Sequence, residues 1–350
     1  EGRLWAVEFD AKSLTTVGDP VPVQEGLLTK DSGAAQFGVA QNGVLMHMPG
    51  DNPAVVTRSL VWVDRNGNTT PLPVPPGPYA NARLSPDGTR VSVRIGTSEH
   101  NLTVFDVATG TARQLTRGLE LWLPEWLSNT HIAYSLMGRT ADLYSVPADG
   151  SAGPDRLTRS PGFDYAIDVT RDGSRLTIQR IFDSPANPNH REIWELPLDG
   201  SGAETPLLQG EFFRRGGDYS PDGNWLLYES NESGEEGIQI RPYPGLGAPV
   251  SVATDRGATP RWSSDGSELF YQLGGQVVAQ KFDTDSGTLG PVTILFDDIF
   301  FRDGPAGRRE YDVSQDGKFL MQLEAPPPVY DQVVLVQNWT QELQRLIPVD

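Results

Sequence analysis

Histidine-based metal or general-base chemistry would have to be built from four residues, His47, His100, His131 and His190. His47 and His131 fall in strand-like runs of two similar segments, so both could face one central channel with a metal between them. No His-x-x-x-His or comparable ligand spacing supports that metal, and satisfied or surface histidines are the simpler reading. The chain has no cysteine, which removes disulfides, thiolate metal sites and a cysteine nucleophile. It also has no Gly-x-Ser-x-Gly elbow. The carboxylate pairs Glu235-Glu236 and Asp297-Asp298 sit in loop-like sequence and read as solvated charges. No catalytic residue, metal ligand or cofactor is assigned.

Binding chemistry has better candidates. Tyr79, Trp122, Phe163, Tyr165, Phe213, Arg214, Arg215 and Arg302 lie where the chain leads into successive strand-rich segments. Aromatic and arginine side chains are the types most enriched where a partner is gripped. These eight are the expected binding set, ringing one mouth of a central channel. The competing reading packs the rings between sheets and pairs the arginines with nearby acids. Trp126, Trp225 and Trp262, inside strands, are assigned to packing.

The elements that would position these side chains are read from Tyr219-Ser220-Pro221-Asp222-Gly223-Asn224-Trp225-Leu226-Leu227-Tyr228. Its first half has hairpin-turn chemistry: Pro fits a first corner, Asp bonds its own downstream backbone, and Gly accepts positive φ. Its second half is a buried strand. The pair recurs, with turns marked by Asn42, Asp87, Asn129, Asp172, Asp222, Asp265 and Asp316, at spacings of 45, 42, 43, 50, 43 and 51 residues. A period of ~40 to 50 residues with several short strands per unit is that of a β-propeller blade. The turn Asp residues recur, but each turn supplies one carboxylate where calcium needs several oxygens, so they are read as turn formers.

The expected fold is an all-β propeller. Six complete units are joined by a composite blade, in which Leu4–Phe9 and Val21–Gln24 supply third and fourth strands to Glu310–Val313 and Phe319–Leu323. That makes seven four-stranded blades with no open edge. Another strand, Val333–Val336, competes for the third position, which leaves six or eight open. The propeller is expected to span residues 1–339 as one domain. Residues 340–350 form a short helical tail packed on it, capped by Thr340.

A formal net charge of −18, spread over the chain, argues against nucleic acid or an anionic membrane surface as partner. With 37 Gly and 29 Pro the composition suits many short strands between tight turns. No apolar run approaches the ~18 residues that cross a bilayer, so no direct membrane insertion is expected. The opening at Glu1 suggests a processed or excised piece of something longer.

Ser85-Pro86-Asp87-Gly88 and Ser220-Pro221-Asp222-Gly223, with variants at Thr170–Gly173, Ser263–Gly266 and Ser314–Gly317, resemble the TolB-type repeat, a WD40-like four-stranded unit. The resemblance covers essentially the whole chain and implies a propeller, a fold that serves many functions. A narrower resemblance rests on Leu60–Gly67, Tyr228–Gly234, Arg241–Gly245 and Asn338-Trp339-Thr340-Gln341-Glu342-Leu343. These are similar to the C-terminal propeller of bacterial membrane-bound serine/threonine protein kinases. That family places the propeller on the extracytoplasmic side, after a kinase and a membrane helix. This sequence contains no kinase motif and no membrane helix, so kinase activity is not carried over. The expected function is a non-catalytic binding or sensing module that recognises a protein segment or small ligand at the mouth of the central channel. It reports to a covalently linked partner domain, which the resemblance implies could be a fused kinase upstream. A metal-dependent lyase or hydrolase at the channel mouth and a purely structural interaction scaffold are the alternatives.

Overall fold

The recurrent turns reverse the chain between two antiparallel strands, as their chemistry requires. Gly88, Gly173, Gly223, Gly266 and Gly317 have φ between 71° and 77°. A Cβ on Gly88, Gly173, Gly223 or Gly317 would meet nothing within 4 Å, so the backbone angle and not space demands glycine. In the Tyr219–Tyr228 stretch the Gly223 N–H donates to the Ser220 carbonyl (2.8 Å). The Asp222 carboxylate accepts from the Ser220 hydroxyl (2.5 Å) and the Asn224 N–H (3.1 Å), closing the corner.

A computed structural model describes residues 2–29, 34–50, 56–96, 99–182, 190–253, 257–301, 311–326 and 332–347. The chain divides into two compact units, residues 57–324 and residues 1–56 with 325–350.

Among the described residues, the larger unit holds six antiparallel groups of four strands, two of them joined into one sheet of eight. The first comprises Tyr79–Leu84, Arg90–Ile95, Asn101–Asp106 and Ala112–Gln114. The second comprises Leu121–Trp126, His131–Met137, Ala141–Pro147 and Asp155–Arg156. The third comprises Phe163–Val169, Arg175–Ile181, Arg191–Pro197 and Thr205–Leu208. One parallel bridge, Ala141 to Phe163, joins second and third. The fourth comprises Arg214–Tyr219, Trp225–Ser230, Gly237–Pro242 and Val250–Ala253, and the fifth Ala258–Trp262, Glu268–Leu273, Gln276–Asp283 and Thr288–Asp297. The sixth is composite: Asp312–Val313, Phe319–Glu324, Arg58–Val63 and Thr69–Pro71.

Each first strand lies beside the first strand of the next sheet, and Asp312–Val313 lies beside both Ala258–Trp262 and Tyr79–Leu84. The apolar core follows the same order, one cluster between each neighbouring pair of sheets. Val93 and Phe105 of the first sheet pack with Leu60 and Leu320 of the sixth. Phe270 and Phe296 of the fifth pack with Val61, Val63 and Phe319 of the sixth.

The composite sheet differs from the expected one in its partners. Phe319–Glu324 pairs in unbroken register with Arg58–Val63, from Phe319 opposite Val63 to Glu324 opposite Arg58. Leu4–Asp10 instead forms a hairpin with Thr15–Gln24 in the smaller unit. Burial explains the choice. A third strand is covered on both faces, which suits Leu60, Val61 and Val63, all buried, whereas Trp5 and Phe9 remain 52% and 56% exposed.

The Asn42 turn also belongs elsewhere. It joins Phe37–Val39 to Leu45–His47 in a three-stranded sheet of the smaller unit, whose third strand is Val334–Val336. The helix Trp339–Leu346 lies in that same unit, where the Trp339 N–H donates to the Gly43 carbonyl (2.7 Å). No helix among the described residues is long and apolar enough to cross a membrane.

Candidate functional site

The first strands carry a repeated irregularity. Register shifts fall between Ala80 and Arg83, Trp122 and Glu125, Ala166 and Asp168, Gly216 and Asp218, and Ala258 and Arg261. Left-handed residues sit at the matching bulges: Asn81 (φ 53°), Leu123 (45°), Gly216 (80°) and Thr259 (51°). Bulges re-aim the side chains that follow them. Here each is followed two residues on by a charge: Arg83, Glu125, Asp218 and Arg261.

With Asp168 and Asp312 these make one charged side chain per sheet, each two residues ahead of the turn's first residue. Arg83 lies 3.5 Å from Glu125. Arg261 bridges Asp218 (2.7 Å) and Asp312 (2.6 Å), tying fourth, fifth and sixth sheets together. Asp312 also accepts the Leu84 N–H of the first sheet (2.9 Å), and Asp168 the Tyr219 N–H of the fourth (2.9 Å). Trp126 donates from Nε1 to the Arg83 carbonyl (3.0 Å) across the first and second sheets.

Above these charges opens a cavity of about 760 Å³. Glu125, Asp168, Arg261 and Asp312 contribute to its lining, together with turn residues from all six sheets, among them Pro86, Ser128, Arg171, Pro221, Ser264 and Gln315. Turn residues touch one another around the rim: Gln315 donates to the Pro86 carbonyl (2.9 Å), and Ser264 to the Gln315 carbonyl (3.1 Å). Beside the floor, the Tyr311 hydroxyl is held well above its usual range by burial and then by Asp218, Asp298 and Asp312.

The sequence-predicted set lies at the other end of the same strands. Tyr79, Phe163 and Arg214 begin first strands, while Leu84, Val169 and Tyr219 end them, five or six residues and roughly 15–20 Å away. Tyr79 is buried, edge-on to Phe105 (5.8 Å), with its hydroxyl donating to the Pro75 carbonyl. Trp122 is half-buried beneath the Arg94 guanidinium (4.2 Å) and edge-on to His100 (6.0 Å). Phe163 and Tyr165 are half-buried in the third sheet.

Phe213, Arg214 and Arg215 do come together. The guanidinium of Arg215 lies 4.8 Å over the Phe213 ring while donating to Glu229 (2.6 Å), and Arg214, also buried, donates to the Gln209 carbonyl (2.9 Å). Arg302 lies outside the described residues. None of the seven described members is among the residues lining the 760 Å³ cavity.

The histidines also part. His47 is buried in the smaller unit's three-stranded sheet, whereas His131 is exposed at the start of a second strand, its Nδ1 3.0 Å from the Thr130 hydroxyl. No group of three or more His, Asp or Glu among the described residues is placed to hold a metal ion.

No protein-family model matches the chain. Over 208 residues it is 24% identical to an uncharacterized protein, Atu1656 of Agrobacterium fabrum, spanning 54% of this chain and 67% of that one. A solved TolB-type protein of Agrobacterium tumefaciens aligns with a TM-score of 0.58 at 22% identity, covering 78% of this chain and 99% of that structure. TolB of Acinetobacter baumannii aligns at 0.51 and 17% identity, covering 71% and 68%. The fold is TolB-like. At these identities the likeness speaks to architecture, and function has to be argued from the residues.

Proposed function

We propose that the larger unit is a six-bladed propeller closed through its composite sheet, and that it acts as a non-catalytic binding module. A protein segment or small ligand enters the turn-lined cavity and rests on the charges beneath it. The observation that carries this reading is the alignment of six sheet-equivalent charges, four of which line a cavity of about 760 Å³. Buried ion pairs are weak contributors to stability, because desolvation offsets their attraction, and apolar residues of similar size would serve a purely structural ring as well or better. A cavity of this size is ordinary for ligand sites. The floor carboxylates are already engaged by guanidinium and backbone N–H groups, which suits fixed recognition more than proton transfer.

The resemblance to TolB-type and kinase-attached propellers supports an extracytoplasmic location. A kinase linked upstream of Glu1 is the matching proposal for what the module reports to, and the gene sequence ahead of that codon tests it.

A thermal-shift screen of peptides and metabolites tests the site. A ligand that binds only the folded state raises the melting temperature by mass action. The shift is expected to vanish in Asp168→Asn and to survive in Phe213→Ala. The reverse pattern moves the site to the opposite end of the strands. Turnover in a lyase or hydrolase screen, lost in His131→Ala, overturns the non-catalytic reading.

A further inference from the structure

We infer that the outer edge of the fifth sheet, the strand Thr288–Asp297, takes up an extended segment of a partner protein as an added strand, and that this segment carries a strand-forming run flanked by basic residues. None of the strand's residues lines the turn-lined cavity, so the inference stands apart from the reading above. It starts from length. The outer strands of the other five sheets, Ala112–Gln114, Asp155–Arg156, Thr205–Leu208, Val250–Ala253 and Thr69–Pro71, have two to four residues, whereas Thr288–Asp297 has ten.

The edge is also apolar. Among the described strands Thr288–Asp297 pairs with Gln276–Asp283 alone, which leaves its other side without a strand neighbour. Nothing charged lies between Thr288 and Phe296. Val292 and Ile294 are 45% and 62% exposed, and Ile299, just past the strand, 70%. Proteins blunt such edges with short strands, charges or proline. Here only Pro291 does so, at a register shift between Leu289 and Val292. Beyond it Val292–Asp297 presents six residues, roughly 20 Å of edge, bent once at Leu295.

Charge defines the occupant. Asp283 and Asp285 precede the strand and Asp297 ends it, all three exposed. Their hydrogen-bond donors are neutral: Asp283 accepts the N–H groups of Asp285 (3.0 Å) and Ser286 (3.2 Å), and Asp297 accepts the Gln276 amide (2.9 Å). None of the three forms an ion pair among the described residues, and Lys281 is the single cation on the two outer strands. Basic residues at both ends of an added strand meet these acids, and the chain's net charge of −18 favours the approach of a cationic segment.

A second copy of this chain fits less well. Two copies joined antiparallel along the whole strand would set Asp297 of each near Asp283 and Asp285 of the other, and like charges facing across strands are destabilising. A foreign segment avoids that clash. Strand addition draws affinity from main-chain hydrogen bonds and specificity from alternate side chains. Val292 and Ile294 are two residues apart and share one face, so β-branched residues at alternate positions of the added strand pack beside them.

Calorimetry with three acetylated, amidated peptides tests the assignment: Lys-Lys-Thr-Val-Thr-Val-Thr-Val-Lys-Lys, the same peptide with Glu for every Lys, and the same peptide with Pro-Pro for its central Thr-Val. The lysine peptide is expected to bind about tenfold or more tightly than the glutamate peptide, and the proline peptide, which lacks the central N–H donors, not at all. Hydrogen–deuterium exchange with the lysine peptide should show new protection at 292–297. Ile294→Lys should weaken that peptide about tenfold or more, and Asp297→Asn several-fold. If Ile294→Lys lowers the melting temperature, Asp297→Asn and the exchange pattern decide. No binding of the lysine peptide at millimolar concentration, equal binding of all three, or protection outside the fifth sheet overturns the added strand. Glutamate and lysine peptides of equal affinity overturn the basic flanks. A dimer in sedimentation that Ile294→Lys dissociates gives the edge to a second copy and overturns the foreign segment.

Discussion

Thr259 holds φ at 51° although it is β-branched, and its buried hydroxyl has no hydrogen-bond partner among the described residues. A left-handed non-glycine residue costs on the order of 1–3 kcal/mol, more than the ~0.5–1 kcal/mol that glycine forfeits in chain entropy. Thr259→Gly should therefore stabilise the larger unit by about 1 kcal/mol, read as a raised urea midpoint. A loss would mean that the bulge is not strained. The turn acids give a second residue-level expectation. Bonds from the Thr170 hydroxyl and then from Ser174 lower the Asp172 carboxyl from 3.8 to about 2. A folded-state pKa below the unfolded one contributes stability that is complete above about pH 4 and lost as pH falls toward about 2. Urea midpoints across that window should fall less steeply in Asp172→Asn than in the wild-type chain, and identical slopes would count against the bonded turn. At this scale the sequence was only partly legible. Tyr79, Arg214 and Arg215 were selected by residue type, and burial with local partners accounts for them. Arg83, Glu125, Asp168, Asp218, Arg261 and Asp312 were selected by nothing, although aligning the turns shows a charge at the same offset in all six.

Sheets meet through side chains that cross from one to the next, and Arg261 crosses twice. Replacing it with Met removes the guanidinium that bridges the buried Asp218 and Asp312, a change worth about 3–5 kcal/mol in comparable buried pairs. The same loss should be largely recovered when both acids are also replaced by Asn. Chemical denaturation of the single and triple variants checks this, and an unperturbed single variant would show that the bridge holds little. Turn chemistry alone did not reveal which sheet a hairpin joins. Gly43 has φ of 81°, much like the turns of the larger unit, yet its strands are three residues long and the second, Leu45–His47, pairs with Val334–Val336. Tertiary partners decide that assignment, and they lie almost 300 residues further along the chain.

The larger unit draws its sixth sheet from two distant stretches. Leu60, Val61 and Val63 are each buried in that sheet. At about 1.5–3 kcal/mol per side chain their burial is worth roughly 5–9 kcal/mol. That is comparable with the whole net stability of a typical domain, about 5–15 kcal/mol. Residues 57–324 expressed alone should therefore melt in one cooperative transition, while a chain starting at Tyr79 should lose it. Calorimetry of the two fragments decides, and equal cooperativity would contradict closure through Arg58–Val63. The repeat made the all-β, TolB-like architecture legible from sequence. The composite partner was not, because Leu4–Phe9 and Arg58–Val63 have similar strand character and differ mainly in what buries them.

Placement of the binding site at the turn-lined cavity is tested most directly by hydrogen–deuterium exchange with a ligand from the thermal-shift screen. The amides of 84–88, 127–130, 169–173 and 219–223 should gain protection on binding, with little change around Phe163 and Phe213. Protection confined to the segments around Phe163 and Phe213 would contradict the account and return the site to the opposite end of the strands.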